Sequence, residues 1–490
     1  MRFACLGLIV AMVLPLLQPT SAAADQPPVN PFAQTSPGGD IPGFALAETD
    51  HFRFYLQGTD GPAASVFAVA YGDAAERGLS ELSSVYGIEW PDKIDVFVYT
   101  NETDYKVAVG ATGRQEISGI DAIADPKNGQ ISILLANISA QTAQEADNSL
   151  RHAISHLLTG YASGGMIPSG IDEGLAMYME RPVNPKLARI AGIMQTAVQR
   201  GELLSWSDLN RSRPPATDPK LLSAESYAIV AYLISRGRLP AIQQFVSAMK
   251  FSTNWRDAIY TAFGRSSDDL ERQWEENLPR WIASGWKENL IAGFDLDPAK
   301  TQLAKGDYEG AKRSLESSQQ LFTELKDSER QATVEALLSQ CDTGIQAEAL
   351  MLQVQQSLEN HAYDRASTLL EQARGQYEQL PQEQRPDDLL NTYEAIANEG
   401  QEAGKTLDHA ILLSQDWSNY PKARRAALDA GASYASLGDQ EMADRSQSVL
   451  NHLQSRQRRL VLLLGALAVI TLLWLFLWLW TRGPSELKWD

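Results

Sequence analysis

The hydrophobic positions of the chain form one long apolar run at each end, with periodic patterns between them. Residues 1–24 combine Arg2, an apolar stretch and the small residues Ala22, Ala23 and Ala24, which is typical of a cleaved secretory signal peptide. An uncleaved N-terminal anchor is the alternative. Residues 25–47 open with several prolines and glycines, and this composition predicts a flexible leader.

The second apolar run, residues 460–480, has no charged side chain and is long enough to cross the hydrocarbon core of a membrane. With the signal peptide, it predicts a single-pass protein of the cell membrane whose bulk is extracytoplasmic and whose tail is residues 481–490. The arginines before the span, Arg456 among them, oppose this orientation under the positive-inside bias. We give the signal peptide precedence because large domains are translocated largely regardless of loop charge.

Three short segments between these ends have the alternating character of strands: residues 51–58, 93–100 and 130–136. Residues 64–86 have helical spacing and are rich in alanine, which favours a helix. The pattern therefore predicts an α+β unit with a small mixed sheet.

Glutamine, glutamate, alanine and leucine dominate residues 287–457, which predicts long helices. Apolar positions in this region recur at an offset of 55 residues, so that Tyr308 corresponds to Tyr363. The segment around Gly306 resembles the turn of tetratricopeptide repeats, but the offset exceeds their usual length of about 34 residues. An irregular helical repeat and an ordinary antiparallel bundle both explain the pattern.

The length and charge of the chain argue against some classes of binding partner. The chain of 490 residues is long enough for about three domains. It carries 61 acidic and 42 basic side chains and a net charge of −19, which argues against nucleic acid as a partner and against lying flat on anionic lipid. Cys5 leaves with the signal peptide, so Cys341 has no intramolecular disulfide partner.

The candidate chemistry lies in residues 149–180. His152 and His156 are four residues apart, so a helix places both imidazoles on one face. Glu173 follows on a second predicted helix. Two imidazoles and one carboxylate are a ligand set of catalytic zinc, with the fourth position open to water. The sequence thus predicts a site for one zinc ion at His152, His156 and Glu173.

These residues resemble the two motifs of peptidase MA-like proteins, which are gluzincin metallopeptidases with a thermolysin-like core. That family carries His-Glu-x-x-His on one helix and Trp-x-x-Glu-Gly-x-Ala-x-Tyr on the next. Residues 170–178, GIDEGLAMY, match the second motif. The resemblance implies a gluzincin-like domain at residues 48–286, with an α+β part (48–148) and a helical part (149–286), followed by the all-α region and the transmembrane helix.

Two positions depart from the family pattern. Ala153 occupies the position of the glutamate that deprotonates the zinc-bound water, and Gly170 replaces the tryptophan. We expect Asp172 to face away from an ion held by Glu173, because neighbouring side chains on a helix point in different directions. Three readings of the site stay open: zinc without efficient hydrolysis, a metal-free remnant, and a working peptidase with another base.

Three functional hypotheses follow. The leading one is a catalytically impaired metallopeptidase-like protein that binds proteins or peptides in the old substrate cleft. Residues 130–136 are its candidate edge strand, where Ile131 and Ile133 would contact an extended chain. The alternatives are an active zinc endopeptidase for envelope or secreted proteins and a helical-repeat scaffold with a vestigial peptidase domain.

Overall fold

The computed structural model describes residues 41–58, 61–111, 122–211 and 218–481. The chain forms two compact units. Unit 1 extends to Phe294 and includes Gln320–Asp327, and unit 2 comprises Asp295–Gln319 and the residues from Ser328 onward. The boundary therefore falls a few residues after the predicted one at 286/287. The predicted signal peptide, most of the leader and residues 482–490 lie outside the described residues.

Unit 1 contains a five-stranded mixed sheet in the order β1-β2-β3-β5-β4. The outer pairs β1/β2 and β4/β5 are antiparallel, and the pairs β2/β3 and β3/β5 are parallel. The strands are β1 Phe44–Glu48, β2 Phe52–Gln57, β3 Ile94–Tyr99, β4 Ala122–Asp125 and β5 Gln130–Leu134. The predicted small mixed sheet is thus confirmed.

The predicted end of the leader at residue 47 is wrong, because Phe44–Glu48 forms the edge strand β1. Its residues pair antiparallel with β2. The Phe44 ring also contacts Phe97 and Tyr99 edge-on, with centroids 5.7 and 5.8 Å apart. This aromatic packing stabilises the strand. The proline and glycine residues around it had indicated a flexible segment instead.

The interpretation of residues 130–136 as an edge strand is also wrong. β5 pairs with β3 on one side and with β4 on the other. Ile131 and Ile133 are fully buried. Their backbone groups already take part in the two ladders, so they cannot accept an added peptide strand.

The other regular elements that the structure describes in unit 1 are helices. α1 packs on β1 and β2, α4 packs on β4 and β5, and α1 and α4 pack on each other. The helices are α1 Gly61–Tyr86, α2 Glu102–Ala111, α3 Leu135–Ser139, α4 Ala143–Ser163, α5 Ser169–Tyr178, α6 Asn184–Arg200, α7 Trp206–Leu209, α8 Pro219–Met249, α9 Trp255–Phe263 and α10 Ser267–Ala283.

The described residues of unit 2 form only helices and their connections, and from α13 onward each helix packs against the next. The helices are α11 Asp297–Ala304, α12 Tyr308–Leu325, α13 Ser328–Glu359, α14 Tyr363–Tyr377, α15 Asp387–Leu413, α16 Tyr420–Ser436 and α17 Gln440–Thr481. The last residues of α12 belong to unit 1.

The internal repeat of the sequence has a counterpart in the packing of unit 2. The Tyr308 ring lies over Gly344, where an added Cβ would be 2.2 Å from the ring. The Tyr363 ring lies over Gly400 in the same way, at 2.3 Å. Helix pairs α12/α13 and α14/α15 therefore share one close tyrosine–glycine contact. The likeness to tetratricopeptide repeats stays a prediction.

The final helix is 42 residues long. Its apolar part is long and hydrophobic enough to cross a membrane, and none of that part is buried. The helix thus fits the predicted single span.

Candidate metal centre

Helix α4 is fixed at its start and along its length. Thr142 caps the helix, and Glu145 bonds back to the Thr142 backbone in a capping box. Further along, Gly160 approaches Pro126 so closely that an added Cβ would lie 2.5 Å from the proline ring. The stretch 150–161 is buried throughout. The histidines of this stretch therefore lie on a capped helix that is buried on all sides.

Helix α5 returns beside α4 after a turn in which Gly164 and Gly165 have φ angles of 65° and 76°. Only glycine adopts such angles readily. α5 also packs directly on the backbone of α8, because a Cβ on Gly174 would lie 2.2 Å from the carbonyl oxygen of Ser226. Gly174 follows Glu173, so this close approach determines where the Glu173 carboxylate lies.

The three predicted ligands come together between α4 and α5. Nε2 of His152 lies 3.2 Å from Nε2 of His156. Oε2 of Glu173 lies 3.8 Å from Nε2 of His152 and 3.7 Å from Nε2 of His156. Ligand atoms of a tetrahedral zinc ion lie roughly 3.3–3.6 Å apart. The triangle of donor atoms is thus close to the size that one such ion requires.

Two further carboxylates bind the rear nitrogens of the imidazoles. Nδ1 of His152 lies 3.0 Å from Oε1 of Glu180, and Nδ1 of His156 lies 2.8 Å from Oδ2 of Asp172. The Lys186 ammonium binds the other oxygen of Glu180. Carboxylates only accept hydrogen bonds, so each Nδ1 carries a proton, and Nε2 is the nitrogen that each ring can offer to a metal ion.

This donor set fits a cation. When Nε2 of both rings is unprotonated, the two lone pairs face each other at 3.2 Å, and a cation between them would remove the resulting repulsion. The carboxylates of Asp172, Glu173 and Glu180, with the single ammonium of Lys186, leave an excess of negative charge that a divalent ion compensates.

The pKa shifts of the acidic side chains agree with this charge distribution. Burial raises the pKa of Glu173, but the hydrogen bond with His156 and the nearby imidazole charges outweigh it, so the net pKa is lowered. Burial likewise opposes ionisation of Glu180, while the hydrogen bond with His152 and the charge of Lys186 give a lowered pKa. Both groups are carboxylates near neutral pH.

The roles of Asp172 and Glu180 were not predicted from the sequence. Asp172 points away from Glu173, as expected, but it does so toward the back of His156. Glu180 lies just beyond α5, outside both motifs, and reaches His152 only through the fold. The position directly before Glu173 was a usable signal for Asp172. Nothing in the spacing marks Glu180.

Ala153 and Gly170, the two departures from the family pattern, both lie in closely packed surroundings. Ala153 has no exposed surface. At Gly170, an added Cβ would lie 2.7 Å from Cγ of Leu209 and 2.9 Å from Oδ1 of Asn210. Oδ1 of Asn210 also accepts a hydrogen bond from the Ile171 backbone. The end of α7 thus fills the space that a larger side chain would need.

A buried ion network lies behind the centre. Nη1 of Arg151 lies 2.6 Å from Oε2 of Glu81, and Nη2 of Arg181 lies 2.9 Å from Oε1 of the same carboxylate. Nε of Arg151 also donates to the carbonyl oxygen of Met179. These arginines adjoin His152 and Glu180 in sequence, so the network connects α1, α4 and the chain after α5 at the level of the site.

A cleft of about 1240 Å³ opens over His152 and Glu173. Ile131 and Ile133 do not line it. The lining includes apolar and basic side chains, namely Met177, Val183, Ile190, Ile193, Lys186, Arg189 and Lys220.

Comparison with known proteins gives one family. Residues 74–280 match the family model described as the Peptidase MA superfamily. No curated protein matches the chain. The match begins inside α1 and ends inside α10, so it contains the whole cluster of His152, His156 and Glu173.

Proposed function

We propose, from the Peptidase MA superfamily domain at residues 74–280, that the protein is a membrane-anchored zinc-binding pseudo-peptidase that binds proteins or peptides in the cleft over His152 and Glu173. The observation that carries the proposal is the combination of a complete ligand triangle with a methyl group at Ala153.

Zinc binding is supported by the donor geometry and by the carboxylates behind both imidazoles. Such rear hydrogen bonds fix the orientation of ligating histidines and raise their basicity. Bound there, zinc would polarise a substrate carbonyl and lower the pKa of a coordinated water. His152, His156 and Glu173 would hold the ion, and Asp172 and Glu180 would orient the rings.

Impaired hydrolysis is supported by the lack of an available base. General acid–base catalysis contributes about 100- to 10,000-fold to such reactions. Among the described residues that line the cleft, four are acidic: Glu145, Glu173, Glu180 and Asp218. Glu173 belongs to the ligand triangle, Glu180 binds His152, Glu145 binds Thr142, and Asp218 caps the start of α8. Each carboxylate already has a structural partner.

Binding of extended protein segments is supported by the cleft lining. Apolar walls provide contact area for side chains. Arg189 and Lys220 are exposed and make no ion pair with any residue that the structure describes. Both cations are therefore available to acidic groups or to the terminal carboxylate of a ligand.

Metal content tests the first half of the proposal. We expect the purified full chain in detergent to retain one zinc per chain by elemental analysis, and His152→Ala and Glu173→Gln to lose it. His409→Ala, which removes an exposed imidazole on α15, is the matched control and should retain zinc. A zinc-free wild-type chain after zinc-supplemented expression would contradict the proposal.

Cleavage of labelled, unfolded casein tests the second half. We expect no turnover by the wild type and a gain of cleavage in Ala153→Glu. Because Ala153 is fully buried, the variant is compared only if its zinc content and circular dichroism match the wild type. Zinc-dependent cleavage by the wild type, abolished in Glu173→Gln, would favour the active endopeptidase instead. Binding of casein that persists in the zinc-free variants but is lost on deletion of residues 290–450 would favour the scaffold.

A further inference from the structure

The connection between α15 and α16, residues 414–419, lies beside α17 just before the apolar run. Nη1 of Arg456 on α17 donates a hydrogen bond to the carbonyl oxygen of Ser414, 3.2 Å away. Arg456 precedes Leu460, the first residue of the apolar run, by four positions. One turn of α17 therefore separates this contact from the start of the span.

Packing inside unit 2 independently shows how far along α17 the connection between α15 and α16 lies. Ala410, Ala427 and Leu450 form one buried cluster, so they mark a common height on α15, α16 and α17. At 1.5 Å per residue, Leu460 lies about 15 Å beyond Leu450, and the start of α16 lies about 10 Å beyond Ala427 in the same direction. The connection thus comes within about 5 Å of the first span residue along the helix axis.

Large apolar side chains are exposed at this end of the unit. Trp417, within the connection, is 71% exposed, and Leu412, at the end of α15, is 63% exposed. The residues that the structure describes leave most of each side chain uncovered. Tryptophan is enriched at the membrane–water interface because its ring is apolar while its N–H can be hydrated.

The same end of the unit is basic, although the whole chain is acidic. Residues 411–425 and 450–460 contain one carboxylate, that of Asp416. The same two stretches contain six basic residues, all exposed and without an ion pair among the described residues: Lys422, Arg424, Arg425, Arg456, Arg458 and Arg459. Basic residues close to a membrane surface are attracted to the phosphates of anionic lipids.

We propose that Trp417 and these six basic residues form a juxtamembrane patch that docks on the bilayer surface, with the indole at the headgroup level and the cations on phosphates of anionic phospholipids. The proposal rests on α17 as the membrane span and is independent of the metal centre. The arginines before the span lie on the side of the membrane where the positive-inside bias does not favour them. Docking on the leaflet that faces unit 2 gives these arginines a function.

Depth measurement with a spin label tests the docking. Ser418→Cys keeps Trp417 in place and is labelled in the full chain, in which Cys5 is replaced by serine and the buried Cys341 does not react. In nanodiscs containing phosphatidylcholine and phosphatidylglycerol, collisions with oxygen and with a water-soluble nickel chelate report depth. We expect interfacial depth at residue 418, an aqueous label at Leu428→Cys two turns further along α16, and a deep label at Leu467→Cys.

An aqueous label at residue 418 together with a deep label at residue 467 would overturn the docking while leaving the span intact. An aqueous label at residue 467 would remove the span on which the proposal rests. Trp417→Ser in the Ser418→Cys chain should increase nickel accessibility several-fold, and no change would contradict the role of the indole.

Charge reversal tests the choice of anionic lipid. Arg424→Glu with Arg425→Glu should raise the nickel accessibility of the label at residue 418 in anionic nanodiscs. Arg365→Glu, an exposed position on α14, is the matched control and should leave it unchanged. Equal depth in pure phosphatidylcholine and in the anionic mixture, with no effect of the double reversal, would overturn the assignment of anionic phospholipid as the partner.

Discussion

Asp172 and Glu173 are sequence neighbours that reach the metal centre from different sides. Glu173 offers Oε2 to the shared position between the two Nε2 atoms, whereas Asp172 binds the rear nitrogen of His156 and also accepts a hydrogen bond from Thr159. Successive side chains on a helix diverge by about 100°. One helix turn can therefore provide both a ligand and the group that orients another ligand.

Replacing the orienting carboxylate should weaken metal binding without removing any ligand. Asp172→Asn loses the charged acceptor behind His156, and we expect zinc affinity to fall about 10- to 100-fold. Competition with a chelator of known affinity measures the change. Asp50→Asn, at an exposed position, should behave as the wild type. Equal affinities in both variants would show that Asp172 does not tune the ligand.

A buried acid outside the centre should make folding sensitive to pH. Burial raises the pKa of Glu225 to about 7, against a partial opposing effect of its hydrogen bond from the Leu204 backbone. The folded chain holds this proton more tightly than the unfolded chain, so the contribution to stability is full below about pH 4.5 and is lost as pH rises to about 7.

Glu225→Gln should abolish that part of the pH dependence. At pH 8 it should raise the urea midpoint, which corresponds to an increase of at most about 3 kcal/mol in the free energy of unfolding. Urea titrations of the full chain in detergent between pH 5 and 8 measure it. Glu275→Gln, on the exposed side of α10, should retain the wild-type slope. A wild-type slope in Glu225→Gln would assign the pH dependence to other groups.

Helices and strands whose apolar residues recur with a clear period were predictable from the sequence. Elements whose position depends on contacts with other elements were not. Strands β2, β3 and β5 and helices α1, α4 and α5 follow the predicted segments. β4 has only four residues, too few to show alternation, and its position at the sheet edge is what makes β5 internal. Sheet order depends on contacts between distant segments, which a single sequence does not display.

The candidate site divides in the same way. The ligand triangle was predictable because helical spacing and a paired motif encode it locally. The rear carboxylate Glu180, the network around Arg151 and the contact of Gly174 with α8 depend on packing between helices, which local spacing does not encode. Local sequence therefore indicated which atoms could bind metal but not what holds them in place.

The close contact between α5 and α8 can be tested by a substitution that adds one methyl group. Gly174→Ala would collide with the Ser226 carbonyl, and such overpacking costs about 1–3 kcal/mol. We expect a lower melting temperature and reduced zinc content. Gly192→Ala, on α6 with no atom within 4 Å of the added Cβ, should instead be neutral or stabilising. A Gly174→Ala chain with wild-type stability would contradict the close approach.

For the molecule as a whole, the predicted extracytoplasmic location is open to direct labelling. Phe251, between α8 and α9, is 85% exposed. In intact cells, Phe251→Cys should react with a membrane-impermeant maleimide, and Ser485→Cys in the tail should react only after permeabilisation. The chain without added cysteine is the background control because Cys341 is buried. Protection of residue 251 in intact cells would place unit 1 on the cytoplasmic side.

The continuity of α17 affects how easily the protein can be released from its membrane. Proteases that shed membrane-anchored domains require an extended segment near the bilayer, and exposed flexible stretches are where nicking concentrates. Here the backbone is helical from Gln440 through Thr481, so the junction between unit 2 and the span offers no extended segment. We expect the domains to stay with the cell that makes them and to be depleted from the surrounding medium.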